Sequence, residues 1–161
     1  MIFVTVGSQL PFDRMVAQVD AWAATHAEVE IFGQVGDTET PPRHFESVST
    51  MPPEEYQQRF AEADLIVGHA GMGTIIAALE LRKPLLMLAR LGSLKESRND
   101  NQVGTARHFK EFSSIEVVES ELEIPARLSA MLEDLERYIS ASDAFGVGDS
   151  LIDAIREFVN S

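Results

Sequence analysis

Cysteine is absent from these 161 residues, which removes disulfide staples, thiolate metal sites and a thiol nucleophile at once. Basic residues are scarce as well. Thirteen Lys and Arg against 26 Asp and Glu leave a formal net charge of −13, a balance that argues against wrapping nucleic acid or adhering unaided to an anionic membrane. No apolar run approaches the roughly 20 residues that a membrane-spanning helix needs. The opening MIFVTVG also lacks the basic flank of a signal peptide, so the expectation is a soluble, cytoplasmic protein with no membrane span of its own. Internal repeats, low-complexity tracts and composition shifts are missing too. A chain of this length buries roughly 70% of its unfolded surface as one domain, and residues 1–161 are read as a single domain.

The few cations are unevenly placed. Between Arg82 and Lys110 lie seven of the thirteen (Arg82, Lys83, Arg90, Lys95, Arg98, Arg107 and Lys110), with only Glu96 and Asp100 against them. Such a basic island in an acidic chain suits a phosphorylated ligand; the alternative is a solvated loop with chance clustering.

Elements alternate along the chain. Ile2 to Val6 is a run of β-formers closed by Gly7, and Pro11 then opens a helix with Met15, Val16, Val19 and Trp22 at helical spacing. Val29 to Phe32 reads as a strand ending at Gly33, Phe45 to Val48 as a third, and Pro52 and Pro53 open a helix through about Glu62. Asp64 to Gly68 and Leu85 to Leu88 are buried strands, Gly92 to Asp100 a polar loop, and Asn101 to Glu111 a helix. Ile115 to Val118 is the last strand and Pro125 to Ile139 a helix; a break from Ser140 to Gly148 precedes a terminal helix at 149–161. Strands alternating with helices imply right-handed crossovers and a doubly wound, mainly parallel, Rossmann-like α/β sheet. Ligands of such sheets lie beyond the carboxyl ends of the strands, where Gly7, Gly68 and the loop from Ala89 to Gln102 should meet.

The stretch ADLIVGHAGMGTIIAALELRKP, from Ala63 to Pro84, carries the most information. A short apolar strand ends in glycine and histidine, and a glycine-punctuated turn opens directly into an apolar helix. The glycines let backbone approach a ligand, and the first helical amides have no intrahelical acceptor, which makes an anion cradle. The bland alternative is an ordinary strand-to-helix turn. The dinucleotide fingerprint G-x-G-x-x-G does not stand in the first turn and G-x-x-x-x-G-K-[ST] is absent, which argues against NAD, FAD and P-loop nucleotide chemistry.

HAGMGT at His69 to Thr74, with Glu80 and Pro84 downstream and NDNQ at Asn99 to Gln102, resembles the donor-binding half of GT-B glycosyltransferases related to the MurG type. VTVGSQLPFDRMV near the start is similar to the turn that opens that domain. The nearest members are the single-domain ones: the soluble catalytic subunit of the dolichol-linked GlcNAc transferase and the small subunits of PssE-type exopolysaccharide transferases. The resemblance runs from Met1 to about Phe112. It implies one half of a GT-B fold, with Gly7, Ser8 and Gln9 flanking the donor phosphates. His69 and the amides of Gly71, Met72, Gly73 and Thr74 would hold the pyrophosphate, and Gln102, with Asp100 or Asn101 beside it, would read sugar hydroxyls. No metal or other cofactor is required, because preorganised amides can stabilise the charge that develops on leaving UDP.

Two departures stand out. The glutamate expected on the ribose hydroxyls falls at Ala77, and Glu80 either substitutes for it or is a solvated helix charge. The base pocket falls near Met51 to Tyr56, where Pro53 has no amide to offer. The resemblance further implies an inverting, UDP-sugar-dependent transferase for polysaccharide assembly. Its partner would be a membrane-anchored subunit that presents a lipid-linked acceptor and holds the general base, with His69 as the other candidate. The terminal helix is a candidate docking element, packing on its own sheet being the alternative. Arg90, Lys95 and Arg98 favour glucuronate as the sugar, with GlcNAc next. A non-catalytic nucleotide-sugar-binding module would keep the same fold. His26, His44 and His108 are read as packing or solvated, and Asp13 as a first-turn helix acid.

Overall fold

The computed structural model describes residues 1–8, 10–144 and 155–156. Six strands, β1 (Ile2–Thr5), β2 (Ile31–Gln34), β3 (Glu46–Val48), β4 (Leu65–His69), β5 (Leu85–Leu88) and β6 (Ile115–Val118), form one sheet in the order β3-β2-β1-β4-β5-β6. All neighbouring pairs are parallel. Side chains alternate across a strand, so Ile2 and Val4 of β1 point into one core while Phe3 enters the other. The helices α1 (Asp13–Ala23), α5 (Ile124–Glu133) and α6 (Leu135–Ala144) cover the first face; α2 (Pro53–Glu62), α3 (Met72–Glu80) and α4 (Asn101–Phe109) cover the second. Burial on both faces explains why β1, β4 and β5 read as continuous apolar runs. Among the described residues no helix is long and apolar enough to cross a membrane.

The expected α/β, doubly wound architecture is the one found, with differences at particular elements. β2 starts two residues later than expected, because Val29 N–H closes a turn onto the His26 carbonyl (3.0 Å). Gly33, expected to end that strand, lies inside it opposite Val4, and a Cβ there would come within 2.8 Å of the Phe45 ring. The glycine makes room for an aromatic and is not a stop. The single helix expected from Pro125 to Ile139 is two, broken at Asp134, whose carbonyl accepts the Arg137 N–H (3.1 Å) to start α6. The new direction buries Tyr138, whose hydroxyl donates to Glu116 of β6 (2.7 Å). α6 continues to Ala144, through the start of the break expected from Ser140, and the rest of that break lies outside the described residues. Most of the terminal helix expected at 149–161 lies outside the described residues; Ile155 and Arg156 are helical, and Ile155 packs against the second core.

Candidate nucleotide-sugar site

β1 and β4 are adjacent in the sheet, and the chain winds outward from them in opposite directions. The loops leaving their carboxyl ends therefore splay apart and leave a crevice. A cavity of about 970 Å³ fills it, lined by Val6, Gly7 and Ser8 after β1 and by His69, Gly71, Met72, Gly73 and Thr74 after β4. Gly71 caps α3 without a side-chain hydrogen bond, and the Ile75 N–H is the donor to the Gly71 carbonyl (3.1 Å). The amides of Met72, Gly73 and Thr74 precede that bond and have no intrahelical acceptor. They carry the positive end of the helix dipole toward the cavity.

His69 is wedged between two glycines. A Cβ on Gly7 would lie 2.6 Å from its Nε2 and one on Gly71 2.3 Å from its Cε1, and Gly7 also has a positive φ of 81°. Burial first, and the nearby charge of Arg90 second, push the imidazole pKa down to about 4, so the ring is neutral at pH 7. A bond to the Gln102 side-chain oxygen would raise that value, but Oε1 of Gln102 is occupied by the Arg90 backbone N–H (3.1 Å). Gln102 Nε2 faces His69 Nδ1 at 3.2 Å, and His69 Nε2 lies 3.3 Å from Thr74 Oγ1.

Arg90 differs from expectation. Its guanidinium is buried, 4% exposed, and donates to the carbonyls of Val6, Leu10, Pro11 and Glu96. It stacks over Phe12, 4.8 Å from the ring centroid, with Arg14 at 5.1 Å from the same centroid. Although Arg90 lines the cavity, four of its five N–H donors are spent on backbone, and it ties the first turn to the loop after β5. Arg14 completes the tie with Glu96 (2.8 Å), Glu121 (3.1 Å) and the Ala89 carbonyl (2.8 Å). Part of the basic island thus holds the loop together. Arg98 is exposed and lines the cavity, whereas Lys95 does not.

Of the other anticipated residues, Ser8 and Gln102 line the cavity, while Glu80, Asp100 and Asn101 do not. Glu80 is exposed at the last position of α3, about 12 Å along the axis from Met72 at 1.5 Å per residue. Asp100 accepts the Gly92 N–H (2.9 Å), and Asn101 donates its own N–H to the Asn99 side chain (3.0 Å). Gln9 lies outside the described residues. Met51, Pro53 and Tyr56 line the cavity where a base pocket was expected. Gln34, Thr50, Gln57 and Ser97 also line it and were not foreseen. Gln34 was hidden by the misplaced end of β2; as the polar last residue of a strand it carries the signal that such sites are built there. It is buried, accepting from Thr5 Oγ1 (3.0 Å) and donating to the Gly7 and Ser49 carbonyls (3.1 and 2.9 Å). Of the remaining histidines, His26 stacks on Trp22, His44 lies 3.3 Å from Asp20 and His108 meets the Phe109 ring edge-on. Asp13 accepts from Thr38 at the start of α1.

Residues 1–152 match the glycosyltransferase family 28 C-terminal domain. The chain belongs to this family. Within it, 102 residues are 33% identical to the UDP-N-acetylglucosamine--N-acetylmuramyl-(pentapeptide) pyrophosphoryl-undecaprenol N-acetylglucosamine transferase of Geobacillus kaustophilus (strain HTA426), covering 61% of this chain and 28% of that protein. The fold is similar to that of the glycotransferase of kitacinnamycin, with a TM-score of 0.70 and 19% identity over 95% of this chain and 39% of the other. It is also similar to the solution structure of ALG13, with a TM-score of 0.59 and 19% identity over 83% of this chain and 85% of that one. The family domain is thus one lobe of a GT-B fold, and the chain spans 28% of the length of the curated relative it matches.

Proposed function

We propose that this family 28 domain binds a UDP-sugar and is the donor-binding, catalytic subunit of a two-part inverting glycosyltransferase. The observation that carries the reading is the start of α3, where the amides of Met72, Gly73 and Thr74 and the neutral ring of His69 converge on the cavity at the switch point. A diphosphate is the ligand such donors suit best. In the reaction an acceptor hydroxyl attacks the anomeric carbon from the face opposite UDP. The bond to the β-phosphate oxygen breaks, its electron pair passes to the diphosphate, and a base removes the hydroxyl proton. Donors preorganised around the diphosphate stabilise the charge it gains.

Among the described residues the cavity offers no free carboxylate. Glu96 is the one carboxylate lining it, and Arg14 and the Leu91 N–H (3.0 Å) hold it. This supports a base on a second, acceptor-binding subunit. That subunit is anchored in the membrane and presents a lipid-linked sugar for polysaccharide assembly, keeping the acidic domain at the cytoplasmic face by protein contact. Glucuronate is the favoured sugar, because the exposed Arg98 can pair with its carboxylate; GlcNAc is next. The lack of a free carboxylate equally favours a non-catalytic module that senses a nucleotide-sugar.

Calorimetry with UDP, UDP-glucuronate, UDP-GlcNAc and NAD tests the site. UDP-sugars should bind and NAD should not, and His69→Ala should weaken UDP by about 1 to 3 kcal/mol. Arg98→Gln should lower affinity for UDP-glucuronate and leave UDP-glucose unchanged. No binding of any uridine nucleotide would overturn the proposal.

A further inference from the structure

We propose that Gln102 is a positioning residue that acts through His69, holding the imidazole in the tautomer that turns a neutral Nε2–H toward the cavity. The reasoning starts from the carboxamide. Its oxygen accepts the Arg90 N–H at 3.1 Å. Turning the group over would set an NH2 against that N–H, donor against donor, in a partly buried place where an unmade bond is costly. Nε2 of Gln102 is therefore the end that faces His69, 3.2 Å from Nδ1. An amide nitrogen can only donate, so Nδ1 must accept, and a neutral ring then carries its proton on Nε2.

The ring has no other way to adapt. Gly7 and Gly71 approach it so closely that a Cβ on either would clash, and the imidazole is held between their backbones. Nε2–H is directed at Thr74 Oγ1, 3.3 Å away, which leaves the Thr74 hydroxyl hydrogen available to a ligand. A chain of donors thus runs from the Arg90 backbone through Gln102 and His69 to Thr74 at the start of α3. With the opposite tautomer Nε2 would present a lone pair to an incoming anion. Each end of the Gln102 side chain makes one bond inside the protein, and its second amide hydrogen remains for a ligand in the cavity that Gln102 lines.

The part of the inference that concerns ligand affinity rests on the diphosphate reading above; the tautomer itself does not. Nitrogen-15 NMR of the ligand-free protein at pH 7 reads it directly. The wild type should show an unprotonated Nδ1 and a protonated Nε2 at His69. Gln102→Glu, whose carboxylate can accept from Nδ1–H, should exchange the two signatures. Calorimetry on Gln102→Ala should show UDP and UDP-glucuronate weakened by the same factor, roughly three- to tenfold for one hydrogen bond. An Nδ1–H tautomer in the wild type would overturn the proposal, as would a loss confined to the sugar nucleotide with UDP unaffected. If either variant fails to fold, the wild-type spectrum still decides. The expected spectrum in a protein that binds no UDP would uphold the positioning role and remove the proposed function instead.

Discussion

At the residue scale, His69 and the two glycines beside it form one device. Gly71→Ala places a methyl 2.3 Å from the His69 ring, and the ring has nowhere to retreat because Gly7 backs it. UDP binding should be abolished, with a stability loss of about 1 to 3 kcal/mol, measured by calorimetry and urea titration. The depressed imidazole makes a second prediction. The His69 pKa falls from an ordinary 6.5 to about 4 on folding, so between those values the unfolded chain binds the proton and the native one does not. The stabilisation this represents is complete above about pH 6.5 and is lost as pH falls toward 4, on the order of 3 kcal/mol in all. Urea midpoints between pH 7 and 4.5 should fall more steeply for the wild type than for His69→Asn.

Among the elements, the loop after β5 owes its shape to Arg90. Four carbonyls from two separate segments accept from its guanidinium, so Arg90→Met leaves buried acceptors without donors. A cost of about 3 kcal/mol is expected, seen as a lower urea midpoint, with weaker UDP binding because the first turn and this loop wall the cavity together. From the sequence Arg90 could be placed beside the site but not given its role. A cation in a polar loop looks the same whether it meets a ligand or its own backbone. Strand ends were legible where apolar runs stop abruptly, as at Leu85 to Leu88. They were not legible where a glycine inside β2 serves the packing of Phe45, or where Asp134 breaks a continuous helical pattern.

For the whole molecule, two cores on either face of the sheet account for the apolar residues of every strand. What the described residues do not supply is a free carboxylate in the cavity, where Glu96 is held by Arg14 and the Leu91 N–H. Assays with a UDP-sugar and a lipid-linked acceptor should therefore show no transfer by this chain alone, and turnover on adding the acceptor-binding subunit. Turnover by the chain alone, followed with radiolabelled donor, would place the base within it.

The sequence by itself determined the alternation of strand and helix, the glycine turn after His69 and the bare amides that follow it, since periodicity and backbone freedom are local properties. Charge likewise separated the basic island from an acidic chain without reference to any contact. Only the tertiary structure decided which of those charges remain free. Arg90 is spent on carbonyls, Glu80 stands a helix length away, and Gln102 turns to His69, because burial and partner geometry are set by segments distant in the chain and leave no mark on the residues considered one at a time.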